Sequence, residues 1–230
     1  MTDVDKPHLR TVRSFVIRAG RTTASQQDAL ARLQSRFGLA LSAGLLMREA
    51  VFGRHAPLVL EIGFGMGDSL LDMARAAPEQ DFIGVEVHPP GVGNLLRGIE
   101  ESGVQNLRVY RADANEVLRH CIADAALHTL QVFFPDPWHK KRHHKRRLIQ
   151  PDFVATARSK LEVGGTLHLA TDWQPYAEQM LAVMEQAPGF SNVFGGGNWA
   201  TEHRRPETKF ERRGQRLGHG VWDLIYRREQ

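Results

Sequence analysis

The residues Glu61-Ile62-Gly63-Phe64-Gly65-Met66-Gly67 join an acid to three alternating glycines. Glycine lets a backbone turn tightly and approach a ligand with no Cβ in the way. Dinucleotide loops space their glycines as G-x-G-x-x-G and offer a helix N-terminus to a pyrophosphate. Here the spacing is G-x-G-x-G, and Glu61 stands two residues before the first glycine. A carboxylate there repels a pyrophosphate and suits a cation, such as the amino group of S-adenosylmethionine. Glu86 is placed to accept ribose hydroxyls, a role shared with nicotinamide enzymes, so it does not discriminate. Asp113 in Arg111-Ala112-Asp113-Ala114 is placed where an adenine edge would lie.

A second constellation is Phe133-Phe134-Pro135-Asp136-Pro137-Trp138. Two prolines stiffen the backbone around Asp136 and remove its neighbours' donors. A carboxylate beside an aromatic ring suits a nucleobase, the ring stacking while the acid accepts hydrogen bonds from the base edge. Next comes His139-Lys140-Lys141-Arg142-His143-His144-Lys145-Arg146-Arg147, six cations without an acid. Its three histidines raise metal binding, but the surrounding cations oppose a divalent ion and no metal is expected. Phosphate contact beside the reacting centre is the better account of the run.

These residues need a scaffold that brings strand ends together. Short apolar runs at Leu58–Ile62, Phe82–Val87, Leu107–Tyr110, Thr129–Phe134 and Thr166–Ala170 read as strands, with a last one at Val221–Tyr226. Helical spacing appears at Gln27–Phe37 (Ser25 as N-cap), Asp68–Ala77, Val92–Glu101, Ala114–His120, Pro151–Leu161 and Gln174–Ala187. Such alternation implies an α/β fold with a mainly parallel sheet and helices on both faces. Ligands of such sheets bind outside the carboxyl ends of the strands, where the glycine loop and Asp136 both fall.

The length of 230 residues fits one domain, read as 25–230, preceded by a basic arm at 1–24 that is disordered unless tied down. No apolar run reaches the roughly 18–20 residues a spanning helix needs, and the first 20 residues hold no export-signal stretch. One cysteine, Cys121, fits a reducing compartment, so the expected location is cytoplasmic. Net charge is +4, but residues 6–21, 139–147 and 202–216 together carry +14 and the remainder −10. An acidic body with cationic patches suits a polyanionic partner.

The segments 61–67, 84–88, 133–140, 170–173, 205–214 and 216–224 resemble the bacterial tRNA (guanine-N7)-methyltransferases, collinear from about residue 12 onward. The resemblance implies a Rossmann-like, seven-stranded sheet whose last strand is antiparallel, with S-adenosylmethionine as cofactor and tRNA as partner. It implies that Asp136 is catalytic and that Glu61, Gly63, Gly65, Gly67, Glu86, Asp113 and Asp136 frame the cofactor. Lys140, Asp172, Thr208, Lys209, Phe210 and Glu211 would line the substrate pocket. Arg142, His143, His144, Lys145, Arg146 and Arg147 would touch RNA. The usual target is the variable-loop guanine at tRNA position 46, giving 7-methylguanosine, by a monomer or homodimer with no membrane contact. A methyltransferase of another RNA or base atom, or a non-catalytic RNA-binding module on this fold, are the competing readings.

Overall fold

A capping box starts the first helix. Thr23 Oγ1 accepts from the Gln26 N–H, and Gln26 Oε1 accepts from the Thr23 N–H, two residues ahead of the expected cap at Ser25. The computed structural model describes residues 13–16, 22–202, 205, 206, 211 and 220–230. Helix α1 (Ala24–Phe37) leads into β1 (Gly38–Leu39), a 3-10 turn (Leu41–Ala43) and α2 (Arg48–Phe52). Strand and helix then alternate through β2 (Leu58–Ile62), α3 (Asp68–Ala76), β3 (Asp81–Val85), α4 (Pro89–Ser102), β4 (Leu107–Tyr110), α5 (Ala114–His120) and β5 (Leu127–Phe133). A 3-10 helix (Lys141–Arg146), α6 (Pro151–Lys160), β6 (Leu161–Thr171), α7 (Gln174–Glu185), β7 (Phe190–Asn192) and β8 (Trp222–Arg228) follow among the described residues.

One eight-stranded sheet results, in the order β1-β4-β3-β2-β5-β6-β8-β7. Strand β8 is antiparallel to both neighbours and the other pairs are parallel. Among the described residues the count is eight rather than seven, and six of the strands show as apolar runs. The two-residue β1 and three-residue β7 are too short to show a period of two.

Strands β2 and β3 are buried throughout, so they read as continuous apolar runs, as central parallel strands do. Along β2 the side chains alternate between two cores. Leu58, Leu60 and Ile62 pack with Val117, Leu118, Phe153 and Met180 of α5, α6 and α7. Val59 packs with Leu33, Leu70, Leu95 and Ile99 of α1, α3 and α4. Each fully buried Leu or Ile contributes roughly 1.5–3 kcal/mol. The helices therefore cover both faces, and the strand ends stay open to a ligand.

Strand order reverses direction at β2, whose neighbours are β3 on one side and β5 on the other. Connections from adjacent strands leave in opposite directions there and part to form a crevice at the carboxyl ends.

Candidate functional site

A cavity of about 490 Å³ occupies that switch point, within the range of small-molecule sites. The ends of β2, β3, β4 and β5 bring Glu61, Gly63, Gly65, Gly67, Glu86, Asp113 and Asp136 to its wall, so one crevice gathers every expected cofactor residue. Gly63 and Gly65 have φ of 76° and 59°, and a Cβ added to either meets no protein atom within 4 Å. Gly67 serves packing instead. Its Cβ would fall 2.8 Å from Leu95 Cβ, so the bare backbone lets α3 lie against α4.

The acids differ in their surroundings. Glu61 is buried, and its Oε2 has no hydrogen-bond partner among the described residues. Burial, then the charge of Glu86, pushes its carboxyl up to about 8. Glu86 accepts three backbone N–H bonds, from Gly65 (3.1 Å), Val87 (2.6 Å) and His88 (3.0 Å). A carboxylate has about four acceptor sites, so one further donor fits without rearrangement and two require one of these bonds to yield. Those bonds also explain why β3 ends at Val85 rather than Val87, because the Glu86 side chain takes over the next two N–H groups. Asp113 uses Oδ1 to cap α5 through the Asn115 N–H (2.9 Å).

Asp136 is exposed at the mouth of the crevice, on a loop that leaves β5 under strain. Phe134 and Trp138 have φ of 51° and 46°, each costing about 1–3 kcal/mol for a residue with a Cβ. The left-handed backbone of Phe134 stops β5 one residue before the expected Phe134, although its N–H still donates to Ala170 O on β6 (2.8 Å). The sequence predicts that Trp138 presents its ring to a base. Instead its Nε1–H donates to Ser14 O (3.1 Å), the Arg146 guanidinium lies 5.0 Å from its ring, and the His143 ring lies at 5.8 Å. It thus anchors the basic 3-10 helix. Ser14 and Phe15 themselves line the crevice, a placement with no signal in the aperiodic arm.

Asp172 follows β6, the neighbour of β5, and the His139 ring meets the Trp173 ring edge-on at 4.4 Å. Neither Asp172 nor Lys140 lines the cavity; both lie in the segments that follow the adjacent β6 and β5. Lys141, Arg142 and Lys145 are exposed on the 3-10 helix, and His143, His144 and Arg146 are half-buried. Partial burial, then Arg142 and the other nearby cations, lowers the His143 imidazole below its ordinary range.

Two expectations change. Arg147, grouped with the RNA contacts, is only 3% exposed and is engaged by protein acceptors, because the turn after the 3-10 helix directs it inward. Glu211, expected against the substrate, is buried with both carboxylate oxygens accepting from Arg205. Arg205 also grips Asp223 on β8 through two bonds of 2.7 Å, and Asp223 Oδ1 pairs with His168 Nε2 on β6 (2.7 Å). The Arg205 guanidinium lies 5.4 Å from the Phe134 ring, so this buried network reaches the Asp136 loop. Thr208, Lys209 and Phe210 lie outside the described residues.

Comparison with known proteins agrees with this architecture. The family described as "Putative methyltransferase" matches residues 55–224. A tRNA (guanine-N(7)-)-methyltransferase of Pseudomonas aeruginosa is 61% identical over 96% of this chain and 91% of its own length. Relatives of the same name from Saccharophagus degradans (57%, covering 95% and 96%) and Ectopseudomonas mendocina (56%, covering both in full) are similar. Among solved structures, the 16S rRNA methyltransferase KamB superposes with a TM-score of 0.57 at 16% identity, over 79% of this chain and 92% of that one. The aminoglycoside resistance methyltransferase NpmB1 gives 0.52 at 17%, over 78% and 91%, and both likenesses speak for the fold. The chain belongs to the bacterial tRNA (guanine-N7)-methyltransferase family, enzymes that take their methyl group from S-adenosylmethionine.

Proposed function

We propose that this chain methylates N7 of the variable-loop guanine at tRNA position 46, leaving 7-methylguanosine. The observation that carries this reading is the exposed Asp136 carboxylate, at the mouth of an acid-walled crevice and five residues before a helix of exposed cations. The crevice fits the cofactor, because the unpartnered Glu61 Oε2 needs a cationic donor and the left-handed glycines leave room beside it. S-adenosylmethionine supplies there a methyl group on a positively charged sulfur. Guanine N7 has an in-plane lone pair and no proton, so the chain needs no general base. What the chain must supply is alignment, worth up to about 7–11 kcal/mol in well-ordered systems. Asp136 accepts from the guanine N1–H and amino group and stabilises the positive charge that reaches the purine. Adenine reverses that donor pattern and is rejected. N7 in A-form RNA lies in a groove too deep and narrow for side chains, so the base is turned out while Arg142, Lys145 and Arg146 hold the backbone. A single buried cysteine, Cys121, suits the reducing cytoplasm.

Labelled S-adenosylmethionine and unmodified tRNA, followed by nucleoside mapping, test the reading. Label appears as 7-methylguanosine at position 46, and 7-deazaguanosine at that position accepts none. Label on the deaza base, or elsewhere in the molecule, refutes the assignment.

Glu61 makes cofactor binding proton-linked. With its carboxyl at about 8, it holds a proton at neutral pH in the protein alone, and an ammonium ligand favours the ionised form. Binding therefore releases a proton between the ordinary carboxylate range and pH 8, and affinity rises with pH across that window. Calorimetric titration at pH 6.5 in two buffers of different ionisation enthalpy gives different heats, and Glu61→Gln removes the difference. Equal heats for the unaltered protein would contradict the protonated state.

A further inference from the structure

The loop that carries Asp136 cannot brace itself. Pro135 and Pro137 have no N–H, and left-handed backbone at Phe134 and Trp138 flanks the acid on both sides. Its hold on the rest of the fold comes from outside. One end is tied by the Phe134 N–H to Ala170 O. On the far side of Asp136, the Arg147 Nε–H donates to Pro137 O at 2.8 Å. The same guanidinium reaches α7, where Nη1 donates to Gln179 Oε1 (2.7 Å) and Pro175 O (3.3 Å). Nη2 meets His144 Nε2 at 3.2 Å, and the guanidinium carbon sits 4.7 Å from the Tyr176 ring centroid. Tyr176 is fully buried and its hydroxyl accepts from the Ile149 N–H (3.2 Å), so the anchorage is rigid.

We propose that Arg147 is a positioning residue for Asp136, fixing the Pro137 carbonyl to the start of α7 rather than contacting RNA. The proposal rests on the reading of Asp136 given above. A guanidinium has five donors in a fixed planar fork, which meets a loop carbonyl and a helix start at once. An ammonium has the same charge but one donor atom, so it reaches one of the two. The side chain's exposure of 3% also separates it from its neighbours Arg142 and Lys145, which face solvent.

Charge and geometry can therefore be told apart. Arg147→Lys keeps the cation and loses the fork. It lowers kcat by about 10- to 100-fold, the scale of a misplaced reacting group, with KM for tRNA and the salt dependence of binding unchanged. Arg142→Ala and Lys145→Ala instead flatten that salt dependence, by roughly 0.7–0.9 in slope for each phosphate no longer neutralised. Gln179→Leu removes one acceptor without touching the charge and gives a smaller fall in kcat; it decides the matter if Arg147→Lys does not fold. Cofactor calorimetry and thermal unfolding establish that each variant is folded.

Unaltered kcat in Arg147→Lys, or in Gln179→Leu where the first variant is unfolded, overturns the proposal. A raised KM with a reduced salt slope in Arg147→Met at full kcat also overturns it, and returns Arg147 to the phosphate contacts. Asp136→Ala is assayed alongside. Normal turnover there overturns the reading of the site and the route through Asp136. Normal turnover in Arg147→Lys with Asp136→Ala inactive overturns the positioning role alone.

Discussion

Asp136→Ala abolishes detectable methyl transfer, lowering the single-turnover rate by at least about 10²–10³-fold, the loss seen when a preorganised electrostatic partner of a transition state is removed. The carboxylate is exposed on a loop between two prolines, outside both buried cores. Truncation therefore leaves the sheet intact. Cofactor affinity stays close to that of the unaltered chain, because in the proposed reading Glu61 and Glu86, which line the crevice at the ends of β2 and β3, carry that interaction. The measurement is a single-turnover rate with saturating tRNA, paired with calorimetry for the cofactor. Asp136→Asn keeps an acceptor without the charge and falls between the two. A normal rate in the alanine variant would remove Asp136 from the reacting centre.

Asp223→Ala has its large effect on stability. The carboxylate joins Arg205 and His168 inside the protein, and Arg205 is almost inaccessible. Removing it takes two bonds from the buried Arg205 guanidinium and leaves Glu211 to balance that charge. Breaking a buried pair in this way costs about 3–5 kcal/mol. For a chain of this size each kcal/mol moves Tm by about 2–4 °C, so a fall of roughly 6–20 °C is expected. The pH dependence identifies the cause. Burial alone would raise the Asp223 carboxyl, but bonds from Arg205 and His168 hold it at about 2. A depressed carboxyl stabilises the fold above the ordinary carboxylate range, and that contribution is lost as pH falls toward 2. The gap between variant and unaltered protein, measured by urea unfolding, narrows over that interval. A loss below about 1 kcal/mol that ignores pH would show the network to be incidental.

Much of the scaffold was legible in local pattern. Strands Leu58–Ile62 and Leu107–Tyr110 and the helix Ala114–His120 coincide with their apolar runs and helical spacing. Boundaries moved where a side chain or a backbone turn intervened. Glu86 captures the N–H groups that would have extended β3, and Phe134 turns left-handed where β5 was expected to continue. Strand β6 begins at Leu161, five residues early, because Gly164 and Gly165 hid its first half behind a turn-like composition. The acids of the crevice were legible for a structural reason: each lies at or just beyond the carboxyl end of a strand, and a parallel sheet brings those ends together.

The sequence by itself determined the alternation of strands and helices, the glycine loop, the acids at strand ends and the cationic run beside Asp136. All of these are local properties, set by periodicity, backbone conformation or covalent adjacency. Tertiary structure alone decided which members of those sets are spent inside the protein. Arg146 and Arg147 are adjacent and chemically identical, yet one lies near the Trp138 ring while the other is buried against α7. The Glu61 carboxyl is pushed up because strands on both sides exclude water from it and Glu86, from the neighbouring strand's end, adds its charge. Asp223 and His168 stand 55 positions apart and meet because β8 runs back along β6. Burial and partnership across such separations depend on how the layers close, and no residue's own neighbours record that.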